Sequence, residues 1–225
     1  MKETNLTWHY AGGLVTGGIV FGVLCLAGAA ATALSMPVTA GILALFTLLD
    51  ALMIAFVFNF YRNPERTCSE NDQALVAPAD GQVVSIEELE EITFLKTRMK
   101  RVAIFLNVFD VHVNRSPCAG LIAQTQYNPG KFLNAMDPQC SVQNENLEWL
   151  LTDGEFKVVV RQIAGLIARR IVPWREKGAS LVRGERFGMI RFGSRTELYV
   201  PLDCRIVCSV GDRVRGGETV IARRP

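Results

Sequence analysis

Hydrophobic positions run almost unbroken through the first quarter of this chain and fall into short, interrupted runs after it. Thr4 to Leu49 contains no Lys, Arg, Asp or Glu, and Asp50 is the only acid between Thr4 and Tyr61. A bilayer core of about 30 Å takes about 20 apolar residues per helix. Ala11–Leu34 and Pro37–Phe60 therefore each supply one span. Met36-Pro37 separates them, because the residue before a proline resists the helical conformation. Gly12, Gly13, Gly17, Gly18, Gly22 and Gly28 mark the first span, and small residues let helices approach closely in lipid. Beyond Arg62 the runs are strand-sized. Ala74–Val84 surrounds a Pro78-Ala79-Asp80-Gly81 turn; Arg101–Val113 reads as a strand pair or one long bent strand; Lys157–Ile163, Met189–Phe192 and Glu197–Leu202 follow. Cys204–Ala222 reads strand, turn, turn, strand, with turns at Gly211-Asp212 and Gly216-Gly217. Glu87–Glu91 reads as a solvated acidic turn, and Ala164–Val172 fits either helix or strand. The predicted fold class is α+β and β-rich: a hydrophobic helical hairpin over 1–61, then a small flattened β-barrel or sandwich over 62–225.

Charge gives the hairpin an orientation. Lys2 precedes the first span, Arg62 and Arg66 follow the second, and the turn between them is uncharged. The positive-inside rule then puts both ends, and everything after Arg62, on the cytoplasmic face of the cell membrane. A signal peptide is disfavoured by Glu3 in a weak basic start and by the length of the apolar run. Asp50, costly at depth in a bilayer, is expected to be packed or snorkelling rather than to transport anything. All but Lys2 of the 24 Lys+Arg, and all but Glu3 and Asp50 of the 22 acids, lie beyond residue 61, an excess of three positive charges there. That balance suits an anionic membrane face and is too weak to argue for nucleic acid. The six cysteines (25, 68, 118, 140, 204 and 208) form no C-x-x-C pair, and Cys204 and Cys208 have no nearby histidine for a metal site. They read as reduced cytosolic thiols, with no metal expected.

The chemistry-bearing residues are few. His112 is the one histidine after His9, so a base working near neutral pH in the second part would be His112. Asp80 sits on the Pro-Ala-Asp-Gly turn, where plain turn chemistry also explains it. Ser194 follows Gly193 between two apolar runs, where a hairpin residue is the bland alternative. Widely spaced Asp, His and Ser can converge whatever their chain order. The C-terminal Gly211-Asp212-Arg213-Val214 and Gly216-Gly217-Glu218 turns resemble the hairpin of biotinyl- and lipoyl-type carrier domains, and Ala77–Gly81 resembles their opening strand. No lysine site for a prosthetic group accompanies them, so this likeness concerns architecture alone.

A more specific resemblance covers about Ala74 to Ala222. Val76–Gly81, Asp110–Arg115, Gly130–Ala135, Asn144–Asn146, Arg161–Gly165, Ala168–Ile171 and Gly188–Arg195 together resemble the phosphatidylserine decarboxylase family, in particular its short bacterial and archaeal type with Phe-Gly-Ser-Arg at the cut. The resemblance implies a proenzyme that cuts itself between Gly193 and Ser194. It implies that Ser194 becomes a covalent pyruvoyl cofactor forming a Schiff base with the substrate, that His112 is the base, and that Asp80 holds its imidazole in the useful tautomer. The implied partners are the lipid phosphatidylserine, the membrane, and the chain's own two pieces, 1–193 and 194–225, held as a heterodimer. Arg115, Lys131, Arg191 and Arg195 are candidates for the lipid phosphate, each equally readable as a surface or sheet-edge cation. Two other readings compete: a membrane-anchored serine hydrolase using the same triad, although Arg191–Arg195 lacks the Gly-x-Ser-x-Gly elbow, and a non-enzymatic carrier-like binding module.

Overall fold

The computed structural model describes residues 4–33, 35–68, 70–166, 170–191 and 194–225. It divides into two compact units, Met1–Asn63 and Pro64–Pro225. The first unit holds α1 (Thr4–Thr32) and α2 (Pro37–Phe60). Pro37 occupies the first turn of α2, where a missing N–H loses no helical bond. The helices pack antiparallel against the glycines of α1. A Cβ at Gly18 would meet Ile54 Cγ1 at 3.1 Å, one at Gly22 would meet Asp50 Oδ2 at 2.7 Å, and one at Gly28 would meet Leu43 Cδ1 at 3.0 Å. Asp50 thus faces the partner helix, as a packed acid should. Leu14, Leu24, Val38 and Leu52 face outward, and both helices are long and apolar enough to cross a membrane.

The second unit is built from strands β1 (Ala74–Val76), β2 (Gly81–Glu91), β3 (Thr97–Leu106), β4 (Val113–Arg115), β5 (Gly120–Asn128), a short helix α3 (Cys140–Gln143), β6 (Asn146–Asp153), β7 (Phe156–Ala164), β8 (Ile171–Pro173), β9 (Ser180–Leu181), β10 (Arg186–Ile190), β11 (Ser194–Val200), β12 (Arg205–Ile206), β13 (Arg213–Val214) and β14 (Val220–Arg223). An eight-stranded sheet runs β13-β2-β3-β11-β7-β6-β5-β9, and two three-stranded sheets run β1-β14-β12 and β4-β10-β8. The α+β, β-rich class expected from the pattern is the one that forms. The principal core takes Val102 and Ile104 from β3, Val158 and Val160 from β7, Leu198 and Val200 from β11, Phe187 and Ile190 from β10, and Trp149 from β6. Trp149 and Phe187 meet edge to face at 5.1 Å.

Two local expectations change. Glu87–Glu91 is the end of β2 rather than a solvated turn, and Glu91 is fully buried. Its carboxylate accepts the backbone N–H groups of Thr93, Phe94 and Leu95 at 2.6–3.2 Å, which satisfies a charge that burial would otherwise penalise. The apolar runs on either side of Gly193-Ser194 do not form a hairpin: β10 and β11 belong to different sheets. Ala164 ends β7 and Ile171 opens β8; the residues between that could have been helical include 167–169, outside the described residues.

The last 32 residues are threaded through the whole unit. β11 lies between β3 and β7, β13 pairs with β2, and β14 lies between β1 and β12. All seven residues of β11 are buried, so both of its faces are covered.

Candidate active site

Ser194 opens β11, opposite Leu106 on β3 and Ala164 on β7. Its side chain is fully buried, and its Oγ has no hydrogen-bond partner among the described residues. An unsatisfied hydroxyl in such a place costs about 1–3 kcal/mol. Ser194 therefore does not stabilise the fold through its hydroxyl. Gly193, the other half of the expected scissile bond, lies outside the described residues.

His112 stands just ahead of another strand, one that pairs with β10. It directly precedes β4 and is fully buried. Met189 of β10 pairs with Val113, and Ile190 N donates to the His112 carbonyl at 3.2 Å. The backbone of His112 is thereby tied to the end of β10, four residues before Ser194. Its Nδ1 lies 2.9 Å from the carbonyl oxygen of Asp110. A carbonyl only accepts, so Nδ1 carries a proton, and in the neutral imidazole Nε2 is then the acceptor. Asp110 itself is pinned: Arg213 donates to Oδ1 at 2.7 Å and Asn107 N donates to Oδ2 at 2.8 Å.

Asp80 stands on a turn bound to the same strand. Pro78 O accepts from Arg115 N at 2.9 Å and from Asn114 Nδ2 at 3.4 Å. The Asp80 carboxylate is gripped by Arg66, through Nη1 to Oδ1 and through Nη2 to Oδ2 at 2.8 Å, and Oδ1 also accepts Gly216 N at 2.8 Å. Burial pulls the Arg66 guanidinium down, but the bond and charge of Asp80 outweigh it and hold Arg66 above its ordinary value. The hydrogen bond expected between Asp80 and His112 is not among these contacts. The partner found at Nδ1 of His112 is the Asp110 carbonyl. Gly216 and Gly217 are needed at this junction. A Cβ at Gly216 would sit 3.0 Å from the Ala79 backbone, and one at Gly217, where φ is +80°, 2.6 Å from Arg115 Cδ.

Sequence reasoning missed a second layer. On one face of β11, Ser194 is followed by Thr196 and Leu198; on the other lie Arg195, Glu197 and Tyr199. Glu197 is fully buried. Its Oε1 accepts from Ser141 Oγ at 2.6 Å, pairs with Arg195 Nε at 2.9 Å and lies 3.5 Å from Arg101; its Oε2 accepts from Tyr199 at 2.8 Å. Burial alone would raise the Glu197 carboxyl, but Arg101, Arg195, Ser141 and Arg161 together hold it below its ordinary value. The alternation of charge with apolar residues in Arg195–Tyr199 was the available signal, since a strand with Arg and Glu on one face must either be wet or paired. The phosphate candidates are reduced in turn. Arg195 is spent on Glu197, and Arg115 donates to the carbonyls of Gly184 at 3.0 Å and Pro64 at 2.6 Å. Burial first, then Arg186 and Arg66, pull Arg115 down to about 10. Lys131 is exposed and donates to Gln143 Oε1 at 3.0 Å. Cysteine nucleophiles are poorly placed: burial pushes the Cys118 and Cys204 thiols up to about 11.

Residues 53–222 match the family described as phosphatidylserine decarboxylase. Three relatives carry the name phosphatidylserine decarboxylase proenzyme. The protein of Symbiobacterium thermophilum is 50% identical over 171 residues, 76% of this chain and 80% of that one. That of Desulfotalea psychrophila is 43% identical over 180 residues, 80% of this chain and 84% of its own. That of Nitrosomonas europaea is 44% identical over 198 residues, covering 88% and 90%. With a match of this extent over the unit that carries Ser194, His112 and Asp80, the chain belongs to the phosphatidylserine decarboxylase family of carboxy-lyases.

Proposed function

We propose that this protein converts phosphatidylserine to phosphatidylethanolamine and CO₂ at the cytoplasmic face of the cell membrane, after cutting its own chain between Gly193 and Ser194. The observation that carries the reading is the buried, unpartnered Oγ of Ser194 at the first residue of β11. A hydroxyl kept without a partner in an apolar interior is a group held for chemistry.

His112 acts as the base. With Nδ1 donating to the Asp110 carbonyl, Nε2 takes the Ser194 proton as Oγ adds to the Gly193 carbonyl. The peptide bond becomes an ester. Removal of the Ser194 α-proton then breaks the Cβ–O bond, leaving Gly193 as a carboxylate. Water replaces the nitrogen of the resulting enamine, and ammonia departs. We assign Asp80 the third place in the set: a buried carboxylate, oriented by Arg66 and Gly216, on a turn bonded to the strand after His112. Its charge favours the imidazolium formed when His112 takes the proton.

The residues around Ser194 fit a pyruvoyl group at that position, because Leu106 and Ala164 flank it with apolar bulk and claim no hydrogen bond from it. Such a group supplies an electron sink for the carbanion left as CO₂ leaves the lipid headgroup. His112 then holds, at Nε2, the proton to be returned to that carbon. Residues 194–225 stay in place after the cut as a small chain in a heterodimer with 1–193, because β11, β13 and β14 each lie against strands of the large piece. The hairpin keeps this unit at the bilayer where the headgroup is found.

Intact-mass measurement of the purified protein tests the reading. Expected are two chains, the smaller being residues 194–225 lighter by one ammonia than a fragment with a free amino terminus. Ser194→Ala should remain whole, and His112→Ala should be cut very slowly or not at all. A single uncut chain with decarboxylase activity would sink the proposal.

A further inference from the structure

Ser194 and the strand that directly follows His112 lie in different sheets, so something must hold the two sheets in register at the site. A run of buried side-chain amides does this directly beneath it. Trp149 Nε1 donates to Gln162 Oε1 at 2.8 Å, and Gln162 Nε2 donates to Asn114 Oδ1 at 2.6 Å. Asn114 Nδ2 in turn donates to Thr196 Oγ1 at 3.2 Å and to Pro78 O at 3.4 Å. Asn114, Gln162 and Thr196 are fully buried, and Trp149 is 1% exposed.

The register makes the arrangement specific. Thr196 of β11 and Gln162 of β7 are a cross-strand pair, and the neighbouring pair on the same face is Ser194 with Ala164. The carboxamide of Asn114 straddles the Thr196–Gln162 pair, accepting from one member and donating to the other. Asn114 lies on β4, in the other sheet, two residues after His112. The polar bridge between sheets is therefore one pair away from the proposed nucleophile and two residues from the proposed base. Gly188, opposite Asn114 on β10, has no side chain where the bridge passes: a Cβ there would lie 3.3 Å from Gln162 Nε2 and 2.8 Å from Val172 O. Apolar side chains surround the bridge on the core side. Such an environment enforces the geometry of a satisfied polar network, because any displacement strands a buried donor or acceptor.

We propose that Asn114 is the positioning residue for self-cleavage: its carboxamide sets the strand bearing His112 against the strand bearing Ser194. This rests on the function proposed above. Losing the amide alone also lowers stability, because Gln162 Nε2 is left buried without its acceptor, so rate and stability have to be measured side by side. What the amide adds is a fixed offset between two sheets, and a misplacement of about 1 Å between reacting groups can cost about a hundredfold in rate.

The test uses the full-length chain synthesised into phospholipid vesicles, with cleavage followed by denaturing gel and stability by thermal melting. Asn114→Ala is compared with Leu151→Ala, a core truncation on β6 outside the bridge. Asn114→Ala is expected to slow cleavage at least tenfold even where Leu151→Ala lowers the melting temperature as much or more and leaves the rate within about twofold. The pH–rate profile separates positioning from mere destabilisation. The wild-type rate should rise with imidazole deprotonation and then level, whereas Asn114→Ala should lose that limb and rise only with hydroxide. If Asn114→Ala yields no folded chain, Gln162→Met removes the 2.6 Å bond with little change in volume and should slow cleavage and alter the profile in the same way. Equal slowing of Asn114→Ala (or Gln162→Met) and Leu151→Ala, or a retained imidazole limb, overturns the positioning role while leaving the function intact. A wild-type chain that never cleaves overturns the function itself, and the positioning role with it.

Discussion

Replacing Glu197 with Gln should be among the most damaging single-atom changes available in this protein. The side chain keeps its shape, but its one amide oxygen can replace only one of the two carboxylate oxygens that accept from Ser141 and Tyr199, so a buried acceptor is lost together with the charge. Arg161 retains Glu148 at 3.1 Å, and Arg101 retains Glu87 at 2.8 Å. Arg195 is left with Ser85 Oγ at 3.4 Å and Cys140 Sγ at 3.9 Å, neither of them an anion. Its side chain is 3% exposed, so its charge stays buried and unbalanced. Removing one partner of a buried pair costs about 3–5 kcal/mol. For a domain of this size that is a fall of roughly 6–20 °C in melting temperature. The measurement is best made in a Ser194→Ala background, where every variant should be one covalent chain, by urea titration in detergent with near-ultraviolet circular dichroism. The sign of the pH effect follows from the depressed Glu197 carboxyl. A carboxyl lower in the folded than in the unfolded state stabilises above its unfolded value, about 4.3, and loses that contribution as pH falls through its folded value. Wild-type stability should therefore decline more steeply below about pH 4 than that of Glu197→Gln. Replacing Arg195 and Glu197 together with Leu should recover at least half of the loss, because no charge is then stranded. A Glu197→Gln chain within about 1 kcal/mol of its parent would put the pair in the range of exposed ion pairs and refute the reasoning.

Two further substitutions probe the turn that carries Asp80. Asp80→Asn removes the charge while keeping an acceptor for Gly216 N; its assigned role predicts cleavage slowed by at least about a hundredfold, and cleavage at the wild-type rate on a denaturing gel would reduce Asp80 to a structural partner of Arg66. Gly81→Ala places a Cβ 2.1 Å from Phe105 O at a φ of +148°; a loss of about 2–3 kcal/mol or more in chemical denaturation is expected, and a neutral result would show that this turn has room the geometry denies it.

The limits of sequence reading follow from what each residue depends on. The two long apolar helices were legible because an unbroken apolar run is a local property that nothing distant can disguise. The Pro-Ala-Asp-Gly turn was legible because turn chemistry is local. Glu91 was not: three consecutive backbone N–H groups make its burial tolerable, and their convergence depends on the path of the chain after β2. The pairing of Asp80 was not legible either: Arg66, fourteen residues earlier, and Gly216 N hold its carboxylate. The Asp110 carbonyl at Nδ1 of His112 was invisible for another reason: main-chain acceptors leave no mark in a sequence. Glu197 and Asn114 look like ordinary strand residues until their partners are known, and those partners come from β3, β7, β11 and α3.

Ser194 occupies a position where a cut breaks little. The bond before it joins β10 to β11, which lie in different sheets and share no ladder. Severing that connection removes no strand pairing. Under the proposed cleavage, the new end at residue 194 would be held at once by Leu106 and Ala164 on either side, and below it by Thr196 in the amide bridge and Glu197 in the ring of guanidiniums. These two anchors use opposite faces of the same strand, which is why all seven residues of β11 are buried. A strand with one wet face could be fixed along its length but could twist about its axis when its upstream tether was lost. A strand gripped on both faces, by an amide on one and a carboxylate on the other, keeps the orientation of its first residue. The proposed cleavage and the proposed catalysis at residue 194 would thus make the same structural demand, that the terminus stay where the peptide bond left it, and the polar groups buried on each side of β11 would be the means by which this sequence meets it.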